Sequence, residues 1–418
     1  MLNPTFELLN DLLSERILVL DGSMGALLFS KNLQEADYRG RRFTSHPIDL
    51  KNATDILCLT QPELIASVHR DYLDAGADIV ETDSFNANPI ALAEFELGHL
   101  TREINIAAAE IARSEVDKYT RANPDKPRFV AGSIGPTKVQ LSFNADKPGY
   151  RPVTFDEMQA SYAEQVRGLL EGGVDMLLPE TSFDTLNMKS CLSAIQQVFD
   201  EQQTSVPVMI SATIFMGGRT LTGQTLEAFL AAVEHFPAFS IGMNCGIGPK
   251  QMREYVEILA KRVPAGTNIC CYPNAGMPDG MGGFDSNPGE FTKTVAEWAA
   301  NGWLNILGGC CGTTPEFIGK TAEAVKGLGP RKRGEGRDER REPNRGAVFS
   351  GTDVFELRAA APTLNPQPST LNEAPRPFLM IGERTNVTGS RKFARLIKEK
   401  NYDEALKIAT SRSRAGPI

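Results

Sequence analysis

Two short segments carry the residues with the clearest chemical potential. They are Met243-Asn244-Cys245-Gly246 and Leu307-Gly308-Gly309-Cys310-Cys311-Gly312-Thr313-Thr314-Pro315. Together they offer three thiols to one metal ion. Adjacent cysteines in a regular strand project to opposite faces and cannot share a ligand. The glycines around Cys310 and Cys311 lift that restriction, because glycine reaches backbone angles closed to other residues. Three protein ligands with a fourth position left for substrate is the pattern of a catalytic zinc. Three thiolates on Zn²⁺ leave a net charge of about −1, which disfavours generating hydroxide and favours taking a fourth thiol. A free thiol, with a pKa of about 8.5, is mostly protonated at neutral pH, whereas a coordinated one is thiolate. The chemistry indicated is alkylation of a bound thiol, with Cys245, Cys310 and Cys311 as metal ligands and catalytic group.

An amino-acid thiol also needs its charged ends held. Asp21 and Glu180 follow apolar runs, and either carboxylate suits an ammonium. Read separately, Asp21 fits an Asp-Gly turn and Glu180 a helix cap or a rim ion pair. Gly22, Ser133 and Asn244 stand in the same polar strand ends and complete the candidate substrate-binding set. Backbone N–H groups of 22–25 and 133–137 are the expected receivers of a carboxylate. Cys58 and Cys191 read as small buried apolar residues. Cys270-Cys271 lies in a strand without flanking glycine, so its side chains are expected to diverge into core. The four histidines are scattered and none is assigned to metal.

These residues need a scaffold that gathers remote strand ends. Short apolar runs at Ile17–Leu20, Ile79–Thr82, Phe129–Gly132, Asp175–Leu178, Val208–Ala212, Phe239–Met243, Asn268–Cys271 and Asn305–Leu307 read as strands. Amphipathic stretches such as Leu64–Ala75, Ile104–Tyr119, Met158–Gly172, Thr185–Asp200, Leu226–His235, Met252–Lys261 and Pro288–Ala300 read as helices. The alternation implies parallel pairing. About eight units over some three hundred residues predict an α/β protein with a (β/α)₈ TIM barrel, with an open doubly wound sheet as the alternative. In the barrel the chemistry gathers at the carboxyl ends of the strands.

The 418 residues include 41% hydrophobic side chains, enough for a sizeable core, and a formal net charge of −8. That charge disfavours nucleic acid or an anionic membrane as partner. Seven cysteines in such a length are no disulfide scaffold. With no long apolar run and no targeting segment, a cytoplasmic protein is expected. The organisation expected is a barrel over 6–327, an unstructured linker over 331–375 with mixed charge and then Pro and Thr, a further fragment over 376–410, and a tail at 411–418.

In combination, Asp21-Gly22-Ser23-Met24-Gly25, Glu81-Thr82-Asp83-Ser84-Phe85, Gly132–Thr137, Met243–Gly246, Tyr272-Pro273-Asn274-Ala275-Gly276 and Gly308–Thr313 resemble the homocysteine S-methyltransferase family. The likeness is to the homocysteine-binding module of its cobalamin-dependent methionine synthases. Ile381-Gly382-Glu383-Arg384-Thr385-Asn386-Val387-Thr388-Gly389-Ser390 looks like the opening of the folate-binding domain of those enzymes. The resemblance implies Zn²⁺ on Cys245, Cys310 and Cys311, homocysteine sulfur as fourth ligand, and Asp21 and Glu180 at its amino group. It also implies Glu383 and Asn386 as folate-site residues, methylcobalamin on a further domain as methyl donor, and methyltetrahydrofolate to recharge it. The chain stops short of a full folate domain, so a truncated form is expected. Betaine or S-methylmethionine as donor, or zinc binding without turnover, are the alternatives within the family. Outside it stand a purely structural zinc site and a metal-free cysteine nucleophile.

Overall fold

The computed structural model describes residues 4–142, 147, 150–264, 266–278, 283–332, 347–357, 391–405 and 407. Eight parallel strands alternate with helices: β1 (Leu18–Val19), β2 (Ile79–Glu81), β3 (Phe129–Ile134), β4 (Met176–Pro179), β5 (Met209–Ala212), β6 (Ser240–Asn244), β7 (Asn268–Tyr272) and β8 (Ile306–Leu307). Every expected strand is present within one or two residues at its ends. Five strands pair in the order β1-β8-β7-β6-β5 and three in the order β2-β3-β4. Single parallel bridges, Leu20 to Ile79 and Leu177 to Val208, join the edges of the two sheets.

Strand alternation divides the core in two. One cluster takes Leu18, Ile79, Phe129, Met176, Met209, Cys270 and Ile306, with Leu9 and Leu13 of the first helix (Pro4–Glu15) packed among them. The larger cluster takes the opposite faces, with Val19, Val80, Val130, Leu177, Ile210, Ile241, Cys271 and Leu307 against the helices. Cys270 and Cys271 therefore diverge as expected, one into each cluster. The covering helices begin at side-chain caps that their sequences advertise. Thr154 and Glu157 form a reciprocal capping box before Phe155–Glu171, and Asp184 accepts from Leu186 N–H ahead of Thr185–Gln202.

At the amino ends of the strands, buried Asp78 and partly buried Asp175 have cations. Asp78 accepts a two-pronged ion pair from Arg16 at 2.8 and 3.1 Å and also takes the Val19 N–H at 2.9 Å. Asp175 pairs with Arg113 and accepts from Val130 N–H at 2.7 Å. Such pairing offsets the cost of burying charge.

The chain clusters into two compact units. One holds Met1–Glu342 with Val348–Glu356, the other Pro343–Ala347 with Leu357–Ile418. The expected unstructured span 331–375 holds a folded piece: strands Ala347–Ser350 and Val354–Leu357 pair across a turn at 351–353. The β-branched and aromatic pairs Val348-Phe349 and Val354-Phe355 supply the strand propensity that the surrounding charged and proline-rich residues disguise. This hairpin fastens to the loop after β5. Thr225 N–H donates to Thr352 O at 2.8 Å, Gln224 Nε2 to Gly351 O at 2.9 Å, Ser350 Oγ to Ala228 O at 2.6 Å, and Arg219 pairs with Asp353 at 2.9 Å. In the second unit a helix spans Arg391–Lys398. Glu383, Asn386, the folate-like stretch Ile381–Ser390 and the tail 411–418 lie outside the described residues. Among the described residues no helix is long and apolar enough to cross a membrane.

Candidate metal centre

Cys245 follows β6 and Cys310 and Cys311 follow β8, and the three sulfurs converge. All lie within 4.8 Å of one another. Cys245 Sγ is 3.8 Å from Cys311 Sγ, and Cys310 Sγ is 3.9 Å from Cys311 Sγ. A tetrahedral ion with metal–sulfur bonds of about 2.3 Å requires sulfurs about 3.8 Å apart, so the donor set fits zinc. The protons tell the same story. Contact with the neighbouring thiols holds Cys245 far below the ordinary thiol range and pushes Cys310 and Cys311 above it, and a cation is what lets all three sulfurs be thiolate together.

The backbone device differs from the one the glycines suggest. Cys245 itself is left-handed, at φ 58°, and is followed by Gly246 at φ 72°. A non-glycine residue in that region costs of order 1 kcal/mol or more and persists where its surroundings impose it. Neither Cys310 nor Cys311 has positive φ; only Gly312, at 78°, does. Gly308 and Gly309 serve close approach instead. A Cβ on Gly309 would lie 2.4 Å from Thr313 Oγ1, and one on Gly308 2.7 Å from Leu20 Cβ. Gly22 is equally hemmed in, 2.8 Å from Thr313 O and from the Tyr72 ring. Tyr72 OH donates to Thr313 O at 2.9 Å and Ser23 O at 3.0 Å, tying the loops after β1 and β8 together. The β7 loop closes the arc: Cys310 N–H donates to Pro273 O at 2.8 Å and Ala275 N–H to Cys311 O at 2.9 Å.

Beside the thiols sit three acids from β1, β2 and β4: Asp21, Glu81 and Glu180. Among the described residues no Lys, Arg or His pairs with any of them, in contrast to Asp78 and Asp175 at the other end. Asp21 Oδ2 accepts the Glu81 N–H at 3.0 Å, and Asp21 Oδ1 is buried without a partner. Glu180 accepts from Ser133 Oγ at 2.5 Å, Asn244 Nδ2 at 3.2 Å and Tyr272 OH at 3.3 Å. Burial pushes Glu180 up to about 7 and Asp21 and Glu81 well above the ordinary range; the Glu180 charge adds to the rise of Asp21 and Glu81, while the Ser133 and Tyr272 hydrogen bonds hold Glu180 back. Three close carboxyls that lack a cation form a receptor for one.

Asp21, Gly22, Ser133, Glu180, Asn244 and the three cysteines thus gather at the carboxyl ends of the strands, though some in altered positions. Ser133 holds Glu180 by its hydroxyl, while its N–H goes to Thr82 Oγ1 at 3.0 Å. Gly135 N–H donates to Phe85 O and Ser23 N–H to Thr313 O, so these amides of the two loops are already engaged. Glu180 caps no helix; Asp184 does that. Asn244 is fully buried and its carboxamide bonds within the protein. Glu81, Tyr272 and Asn274 escaped sequence reasoning as site residues. Asn274 donates to Cys245 and its Oδ1 is buried without a partner. Glu81 had one signal, an acid closing the apolar run Ile79-Val80.

A family model described as homocysteine S-methyltransferase matches residues 18–325. Among solved structures, the homocysteine methyltransferase MmuM from Escherichia coli in its metallated form is 25% identical, with a TM-score of 0.59, covering 77% of this chain and 99% of that one. Its oxidized form gives 25% identity and a TM-score of 0.58, over 76% of this chain and 98% of that one.

Proposed function

We propose, from the premise that this chain belongs to the homocysteine S-methyltransferase family and is a methyltransferase, that it transfers a methyl group to the thiol of homocysteine at a zinc ion held by Cys245, Cys310 and Cys311. The observation that carries this reading is the convergence of three sulfurs within 4.8 Å of one another, two of the pairs at tetrahedral spacing, beside three acids that have no cation among the described residues. Zinc bound there supplies a Lewis acid with one position for a substrate thiol, which it keeps as thiolate at neutral pH. Asp21, Glu81 and Glu180 take the substrate ammonium. Ser133 and Tyr272 fix the Glu180 carboxylate, so that the amino acid enters in one orientation. Its sulfur then forms the S–C bond as the bond from methyl to donor breaks on the opposite side, giving methionine and the demethylated donor. Asp21, Glu180, Ser133 and Tyr272 are buried, so water does not compete for the carboxylates that take the ammonium.

The scaffold of this reading is a closed (β/α)₈ barrel. The bridges Leu20–Ile79 and Leu177–Val208 support closure, as does the cluster in which inward residues of the strands meet Leu9 and Leu13 of the first helix. The proposed donor is methylcobalamin recharged by methyltetrahydrofolate, as in cobalamin-dependent methionine synthases, supported by the sequence Ile381–Ser390 with Glu383 and Asn386. The test is metal content and sulfur coordination by X-ray absorption, with and without homocysteine, in the purified chain and in Cys310→Ala. One zinc per chain, a further sulfur ligand with homocysteine and loss of zinc in the variant are expected. A zinc whose ligands do not change with homocysteine overturns the reading. Supplying methylcobalamin, S-methylmethionine or betaine in turn identifies the donor.

A further inference from the structure

Asn244 sits between the two halves of the site and is 0% exposed. Its Oδ1 accepts the Thr181 N–H at 2.9 Å and the Ser211 hydroxyl at 2.6 Å, so the amide cannot flip without losing both. Its Nδ2 faces three acceptors: Thr181 Oγ1 at 2.8 Å, Glu180 Oε2 at 3.2 Å and Cys310 Sγ at 3.7 Å. A carboxamide nitrogen has two hydrogens. Three acceptors therefore share two protons, and the sulfur has the longest contact. Thr181, at φ 55°, and Cys245, at φ 58°, are both left-handed; one donates its N–H to this amide, and the other adjoins Asn244 in the chain.

Resting on the homocysteine reading above, we propose that Asn244 is a positioning residue that couples capture of the substrate ammonium to the sulfur cluster. An ammonium that settles on Glu180 gives Oε2 a stronger, charged donor. The Nδ2 hydrogen shared with that oxygen is then released towards Cys310 Sγ, where an N–H···S bond stabilises thiolate charge. Amine recognition and thiol activation thereby become one event, and a thiol without an amine gains neither part.

The experiment compares homocysteine with 4-mercaptobutanoate, the same chain without its amine, on Co²⁺-loaded protein. Wild type, Asn244→Ala, Asn244→Asp, Glu180→Gln and the Asn244→Ala/Glu180→Gln double variant are titrated, with the sulfur-to-cobalt charge-transfer band as readout. Wild type should favour homocysteine on the order of 10- to 100-fold, the worth of a charge-assisted hydrogen bond. Asn244→Ala should reduce that preference nearly to the Glu180→Gln level, and the double variant should add less than about twofold, the signature of coupled residues. Before any ligand is added, Asn244→Ala, which removes the N–H···S contact to Cys310, should also shift the band. Asn244→Asp keeps the size and the Oδ1 acceptor, so it supplies the same test if the alanine variant fails to fold. A preference that survives in both Asn244 variants, or that falls additively with Glu180→Gln, overturns the proposal. A merely structural Asn244 lowers melting temperature and cobalt content while leaving the preference intact. No band change with homocysteine in wild type instead sinks the homocysteine reading itself.

Discussion

Replacing Glu180 by glutamine should make the protein more stable and a worse enzyme, and both effects have a size. The carboxyl is buried and its pKa rises from 4.5 to about 7. An acid with a raised folded-state pKa penalises the folded protein once pH exceeds its unfolded value, and the penalty is complete above the folded value. The window therefore opens near pH 4.5 and closes near 7. A shift of about 2.5 units corresponds to about 3 kcal/mol. Glutamine keeps the hydrogen bonds of Ser133 or Tyr272 in part and never carries that charge. Glu180→Gln should thus gain up to about 3 kcal/mol over wild type at pH 8.5 and little at pH 4.5, read by guanidinium unfolding at both pH values without substrate. Asp21 and Glu81, relieved of a neighbouring charge, add to the gain. The same change should cost about 1.5–3 kcal/mol of ammonium binding, or roughly 10- to 150-fold in kcat/KM for homocysteine, with zinc content unchanged. A variant no more stable at pH 8.5 than at 4.5, or one with undiminished kcat/KM, refutes the view of Glu180 as a charge kept for a cationic guest.

His69 is fully buried with neither ring nitrogen bonded, and burial lowers its pKa to about 4. Its neutral form stabilises the fold above pH 6.5, and that contribution drains away as pH falls to about 4, by up to about 3 kcal/mol; His69→Leu should flatten that part of the stability–pH curve in urea melts. Tyr72→Phe strips a donor from Thr313 O and Ser23 O, and should cost about 1–3 kcal/mol in thermal unfolding with weaker zinc retention under a chelator. Gly22→Ala should destabilise by a similar amount, since its methyl would meet Thr313 O at 2.8 Å. Asp353→Ala, whose partner Arg219 is half exposed, should change melting by less than about 1 kcal/mol, while a chain ending at Lys332 should be cut faster by protease within 215–225.

Much of the architecture could be read because each strand is a short apolar run closed by polar residues, as at Ile79–Thr82 and Phe239–Met243. The thiols could be read because Gly-Gly-Cys-Cys-Gly has few other uses. The role of the turn was harder to see: positive φ falls on Cys245 and Thr181, and nothing in Asn-Cys-Gly or Glu-Thr-Ser announces it. That strain comes from the buried Asn244 amide and from neighbouring loops, which are tertiary causes. Glu81 and Tyr272 were hidden as strand residues, since side-chain direction depends on register and register on pairing partners far along the chain. The hairpin at 347–357 was masked by composition averaged over its surroundings.

That hairpin changes what counts as one piece of this protein. Residues 348–356 group with the strand-bearing unit although the chain has already left it at 342. An excision guided by the last helix, Pro315–Val325, would amputate its clip on the loop after β5. A minimal catalytic fragment therefore has to run at least to Leu357, and shorter versions that bind substrate loosely would report a missing staple, not a missing domain.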